Sequence, residues 1–183
     1  MSPRVAAQPA QAGSLGADSA RVAARASHMM GPAAERQWPP EQAIAWEGLL
    51  EVSRRMRRGA EELLLKRFDL SISMLGIIGR LSRAPKRTLR QTAIADAMGL
   101  SLSRVSRVID ILQERRLVER RSCPGDARAT NVILTRPGAD LTSRAQCELF
   151  AFVRGGFFDQ LEPAEVQTLA TVFARILDQP QDQ

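Results

Sequence analysis

The sequence predicts a mainly α-helical chain interrupted by one small β-hairpin. Three observations carry that expectation. Apolar residues recur at three- and four-residue spacing through several long segments. Two short helical patterns in the middle are separated by a single glycine-containing turn. One stretch after them alternates about a Cys-Pro-Gly-Asp turn.

Residues 1–38 are rich in Ala, Gly, Ser, Pro and Arg, lack apolar periodicity, and are expected to be a disordered leader. No apolar run in them is long enough for the centre of a signal peptide, and Met29 and Met30 offer a later start of translation. From Pro39-Pro40 the pattern changes. Trp46, Leu49, Leu50, Met56, Ala60, Leu63 and Leu64 mark a long amphipathic helix over about 41–67. Ser71 is placed to cap a second helix carrying Met74, Leu75, Ile77, Ile78 and Leu81, which Ala84-Pro85 closes. Two short helices follow. Ile94, Ala95 and Met98 point inward on the first, Gly99 ends it, and Ser101 caps the next. The second of the pair carries Val105, Val108, Ile109 and Leu112 on one stripe. Helix, glycine turn, helix is the helix-turn-helix pattern.

Leu117–Arg121 and Thr130–Leu134 read as two strands joined by turn chemistry at 123–126, forming a wing beside the helix pair. Thr135 can cap a further helix running to about Phe158, with Gly155-Gly156 as a weak point. Glu162-Pro163 opens a last one whose stripe is Val166, Leu169, Ala170, Phe173, Ile176 and Leu177. These outer helices are amphipathic yet too few for a self-contained bundle, so they are expected to pack against a second copy in a twofold dimer. The fold class is therefore a winged helix-turn-helix embedded between dimerisation helices. One domain is expected over 39–178, with the winged part at about 71–135, dimerisation helices at about 41–67 and 136–178, and a flexible tail at 179–183.

Charge narrows the partner. Residues 86–128 hold ten basic and five acidic side chains, whereas residues 129–183 carry an acidic excess. A positive field confined to some 40 residues suits a polyanion, although a solvated basic face would have the same composition. No apolar run is long enough to span a membrane. Cys123 and Cys147 lack paired spacing, which fits a reducing cytoplasm, and one histidine with two separate cysteines does not make a structural zinc site. No cofactor or metal is expected.

The helix beginning at Leu102 is the candidate reader. With its apolar stripe turned inward, Ser103, Arg104, Ser106 and Arg107 remain outward in the first two turns, and no carboxylate precedes Asp110. Acidic residues ordinarily favour a helix N-terminus; a helix entering a major groove between phosphates must do without them. Arginine bonds guanine bidentately, and serine contacts bases or phosphates. Ser101 lies at the cap of the same helix. Arg90, Gln91 and Thr92, at the start of the preceding helix, are placed to touch the backbone of a duplex. In the wing, Arg120, Arg121 and Arg128 flank the turn. An arginine there can reach a narrow minor groove, and Asp126 can hold the Arg128 guanidinium by a charge-assisted bond. Surface solvation and a weak surface ion pair are the plain alternatives.

The stretch from Thr88 to Gly138 resembles the DNA-binding core of the multiple-antibiotic-resistance regulator (MarR) family. The family's wing signature is matched by Asp126, Arg128, Leu134, Thr135 and Gly138. The resemblance implies a homodimer on a pseudo-palindromic operator in double-stranded DNA, with one recognition helix per half-site. It further implies a repressor released by a small, often aromatic, effector. A family-like effector pocket would draw on Trp46, Leu49, Met74, Leu75 and Phe150, each of which also fits plain core. Peroxide-sensing members carry a cysteine near the start of the first long helix, which this chain lacks. A urate-responsive subgroup has an acidic residue where this chain has Gly76. Cys123 is expected to be exposed in the wing, and Cys147 to be a small buried hydrophobe.

Other functions fit less well. An enzyme would need a base, a phosphate loop or a metal pair, and the lone His28 sits in the leader. A winged helix serving only as an interaction partner would be expected to have lost the outward arginines. A DNA-binding regulator that needs no effector has the same sequence features as a ligand-gated one.

Overall fold

The computed structural model describes residues 39–123 and 126–178, with the backbone alone described at Cys123 and at 126–129. The leader and tail expected at 1–38 and 179–183 lie outside the described residues. The order of elements is α1 (Pro40–Phe68), α2 (Ile72–Arg83), β1 (Thr88–Arg90), α3 (Gln91–Met98), α4 (Leu102–Glu114), β2 (Val118–Cys123), β3 (Asp126–Leu134), α5 (Arg136–Gly156) and α6 (Pro163–Leu177). The chain divides into two units at Arg55 and Met56, within α1.

In the first unit, Trp46, Leu49, Leu50 and Val52 are exposed, so Trp46 and Leu49 do not take the plain-core alternative open to them. Arg55 and Arg54 both bond the Glu51 carboxylate, at 2.6 and 2.9 Å. The bond from Arg55, then that from Arg54, holds the Glu51 carboxyl below the usual carboxylate range. Such exposed pairs within one helix add little stability.

The second unit contains the core. Leu64, Leu70, Ile77, Ile78, Leu81, Ile94, Val105, Ile109, Leu112 and Val132 are fully buried and pack in one cluster with Leu75, Ala95, Leu117, Val118, Leu134 and Ala145. The stripes expected on α2, α3 and α4 therefore meet around one centre, with Val108 and Met98 half-buried at its edge.

Local chemistry explains where each helix starts and stops. Ser71 accepts the Met74 amide at 3.1 Å, and Glu61 accepts the Ile72 amide at 2.9 Å, so two donors at the start of α2 are satisfied. Gly99 has φ +61°, and the Gly99 and Leu100 amides donate to Asp96 and Ala95 carbonyls, closing α3 in a Schellman turn. α4 ends the same way with Arg116 in the left-handed position, at φ +57°. Its amide donates to Gln113, and that of Leu117 donates to Leu112.

The sheet has the order β1-β3-β2 and is antiparallel throughout. β1 pairs Thr88 with Ile133 and Arg90 with Asn131, making a third strand that the sequence did not announce. β3 begins four residues before the expected Thr130, and the register shifts after Ser122. Pro124 and Gly125 of the expected turn lie outside the described residues.

Thr135, Leu134 and Gly138 form the joint between the wing and α5. The Thr135 hydroxyl lies 2.9 and 3.0 Å from the carbonyl oxygens of Arg116 and Leu117, and it accepts the Gly138 amide at 3.0 Å. A Cβ on Gly138 would stand 2.1 Å from the Leu117 carbonyl oxygen, so only glycine allows this approach. α5 stops at Gly156, two residues short of the expected Phe158, and a 3-10 turn takes up Phe158–Gln160. Cys147 on α5 is exposed rather than buried, because α5 turns Thr142 and Ala145 inward and Cys147 outward. α6 buries none of its residues: Phe173, Ile176 and Leu177 are 40%, 57% and 81% exposed.

Candidate nucleic-acid interface

α4 presents the candidate surface at its N-terminal end. Ser101 caps the helix, accepting the Arg104 amide at 3.3 Å, and its hydroxyl lies 3.2 Å from that of Ser103. Ser101, Leu102, Ser103, Arg104 and Arg107 are exposed, while Val105, Ile109 and Leu112 on the other side are fully buried. The first turn carries no acid. The helix dipole and two arginines therefore project positive potential from the same end.

Three arginines on neighbouring elements hold this helix pair in place. Arg80 of α2 donates to the Gly76 carbonyl at 3.2 Å and to the Ala97 carbonyl at 2.9 Å, placing a cation at the C-terminus of α3. Arg115, just past α4, donates to the Phe68 carbonyl at 3.0 Å and to that of Asp69, and lies 3.6 Å from the Asp69 carboxylate. It joins the end of α1 to the end of α4. Arg120 of β2 reaches across α4: it bonds the Asp110 carboxylate, the Ser106 carbonyl at 3.1 Å and the Ser106 hydroxyl at 3.3 Å.

The structure thus sorts the residues expected from sequence. Ser103, Arg104 and Arg107 share the exposed end of α4 with the capping Ser101. Ser106 is half-buried and occupied by Arg120, whose own side chain is only 23% exposed. Those two meet each other rather than standing free at the surface. Arg90 is exposed at the N-cap of α3, Thr92 is exposed in its first turn, and Gln91 is half-buried beside them. Asp126 and Arg128 lie on β3, with side chains outside the described residues, as is the side chain of Cys123. Of the candidate effector residues, Leu75 is buried in the main core and Met74 is half-buried against it. Trp46 and Leu49 are each 46% exposed in the first unit, and Phe150 is 66% exposed in the second. Leu75 alone among these five is core.

Sequence reasoning missed the struts Arg80 and Arg115, since a cation aimed at a carbonyl leaves no periodic signal, and it placed Arg120 at the DNA surface where the structure turns it onto Asp110 and Ser106. It also passed over Leu102, a large apolar residue 48% exposed at the first position of α4. Its place next to the capping serine was the available clue. Among the described residues no group of histidine, cysteine or carboxylate side chains could hold a metal, and no helix is long and apolar enough to cross a membrane.

Comparison with known proteins places this geometry. Residues 68–129 match the model of the MarR family. An uncharacterised HTH-type transcriptional regulator, YhbI of Bacillus subtilis (strain 168), is 25% identical over 129 residues, covering 69% of this chain and 82% of that protein. AbsC, a MarR family transcriptional regulator from Streptomyces coelicolor, superposes with a TM-score of 0.72 at 27% identity, covering 80% of this chain and 98% of that one. Sco3205, a MarR family regulator of the same organism crystallised with DNA, gives a TM-score of 0.72 at 24% identity over 79% and 92% of the two chains. These relatives are transcriptional regulators rather than enzymes. The chain is thus similar to the MarR family over its helix pair and wing, and it shares a fold with AbsC, a transcriptional regulator of that family.

Proposed function

We propose that this protein is a sequence-specific, double-stranded DNA-binding transcriptional regulator that acts in the cytoplasm as a homodimer on a pseudo-palindromic operator. The observation that carries the proposal is the acid-free N-terminal end of α4, where Ser103, Arg104 and Arg107 are exposed on a helix whose other side is fixed in the core. A helix held that firmly loses little freedom on entering a major groove, and two forked guanidiniums can read guanine edges or clamp phosphates. Arg90 and Thr92, exposed at the start of α3, are candidate phosphate contacts. Arg128 is the candidate for the minor groove. The apolar residues left exposed on α6 support a second copy as the cover.

Repression relieved by a small aromatic effector is the regulatory form we propose from the family likeness.

The test is the Arg104→Ala/Arg107→Ala double variant on a duplex selected by the wild-type protein, followed by fluorescence anisotropy. Losing one bidentate base contact weakens binding by about 1–3 kcal/mol, so a loss of roughly a hundredfold or more is expected, together with relaxed base preference. Unchanged affinity and selectivity in the double variant would sink the proposal.

A further inference from the structure

Leu102 has no structural use that its surroundings reveal. The apolar contacts that seat α4 are made by Val105, Ile109 and Leu112, and Leu100 on the preceding turn packs against the same cluster. Leu102 is outside that cluster and 48% exposed. Most other large exposed apolar side chains among the described residues lie on α1, on α5 and the turn after it, or on α6. Ile111 is the exception on α4, but nine residues along a helix is about two and a half turns, which puts it on the opposite side from Leu102.

The neighbours of Leu102 at the surface are polar. Ser101 and Ser103 are linked through their hydroxyls, Arg104 is exposed, and Ser106, one turn further along the same side, receives Arg120 from the wing. Helical side chains lean toward the N-terminus, so a residue at the first helical position stands at the leading tip. A lone exposed leucine elsewhere needs no explanation. Here it occupies the tip of the element proposed to enter the groove, on its wing side. The apolar feature of the major groove is the C5-methyl of thymine.

We infer that Leu102 is a specificity-determining residue, packing its methyl groups on a thymine C5-methyl in each half-site. The inference rests on the DNA-binding function proposed above. The hydroxyls and guanidiniums around it recognise donors and acceptors, whereas Leu102 distinguishes thymine from cytosine, which presents no methyl group.

The experiment separates this inference from the DNA-binding proposal itself. Duplexes are enriched from a random-sequence pool with the full chain, and the enriched duplex is then synthesised with deoxyuridine replacing thymine at one symmetric pair of positions at a time. Deoxyuridine lacks only the methyl group. Wild-type protein is expected to lose about fourfold affinity per half-site at one such pair, the worth of one buried methyl. Leu102→Ala should bind the thymine duplex weaker by a similar factor and show no further loss at that pair with deoxyuridine. Its thermal midpoint should match wild type, since the residue is exposed. If no position is sensitive in the wild type, or Leu102→Ala keeps the full deoxyuridine penalty, the role of Leu102 is overturned while DNA binding stands. If the wild type enriches no duplex, both fail.

Discussion

α4 and α6 are helices of similar length and similar amphipathic pattern, and they spend their apolar stripes differently. α4 buries Val105, Ile109 and Leu112 completely inside its own chain and turns serines and arginines outward. α6 buries nothing, leaving Phe173, Ile176 and Leu177 exposed. Identical periodicity thus supports two different jobs. A stripe that finds its partner in the same chain fixes a helix as a rigid platform, and one that does not is an unfilled surface. The first suits a reader of DNA, and the second suits a seat for another copy of the protein.

The sharpest way to break this contrast is to make the same change in both helices. Ile109→Ala should destabilise the fold by about 3 kcal/mol, within the range for a buried Ile reduced to Ala, by an amount independent of protein concentration. Ile176→Ala should lower the denaturation midpoint only in a concentration-dependent way, since in the homodimer proposed above the group that covers it belongs to another molecule. Denaturant titrations at two protein concentrations a hundredfold apart decide it. A concentration-independent loss at Ile176 equal to that at Ile109 would erase the distinction.

A medium effect is expected at Arg120. If it acts as a strut through Asp110 and Ser106, Arg120→Ala should weaken operator binding by roughly tenfold, Asp110→Ala should do much the same, and the double variant should be little worse than either single one. Additive losses would instead mean that Arg120 touches DNA itself. The smallest effect sharpens the end of the same helix. Arg116 holds a left-handed conformation that costs a non-glycine residue about 1 kcal/mol, so Arg116→Gly should raise stability by about that amount in a urea melt.

The helices were legible in the sequence because their caps and stripes are local. Ser71, Gly99, Ser101 and Thr135 each occupy the terminal position that their chemistry indicated. β1 was not, since three residues show no alternation and the strand exists only because β3 lies beside it. The family signature divides in two. Its Leu134, Thr135 and Gly138 portion forms a joint, held by the Thr135 hydroxyl and by the close approach of Gly138 to Leu117. Within the candidate interface, the exposed end of α4 could be drawn from helical phase alone. The inward turn of Arg120 could not, because it depends on a partner ten residues away across a strand and a helix. Cys147 was misplaced for a related reason: residue type favours burial, but its phase on α5 sets it outside.

In the function proposed, the α4 ends of two copies engage duplex DNA through its phosphates and base edges. Binding of the full chain to the selected duplex, measured between 50 and 200 mM salt with stoichiometry determined in the same titration, tests it most directly. Two protomers per palindromic duplex are expected, with an affinity that falls steeply as salt rises, by roughly a thousandfold or more if six or more phosphates are neutralised. A single protomer per duplex, or an affinity indifferent to salt, would contradict it.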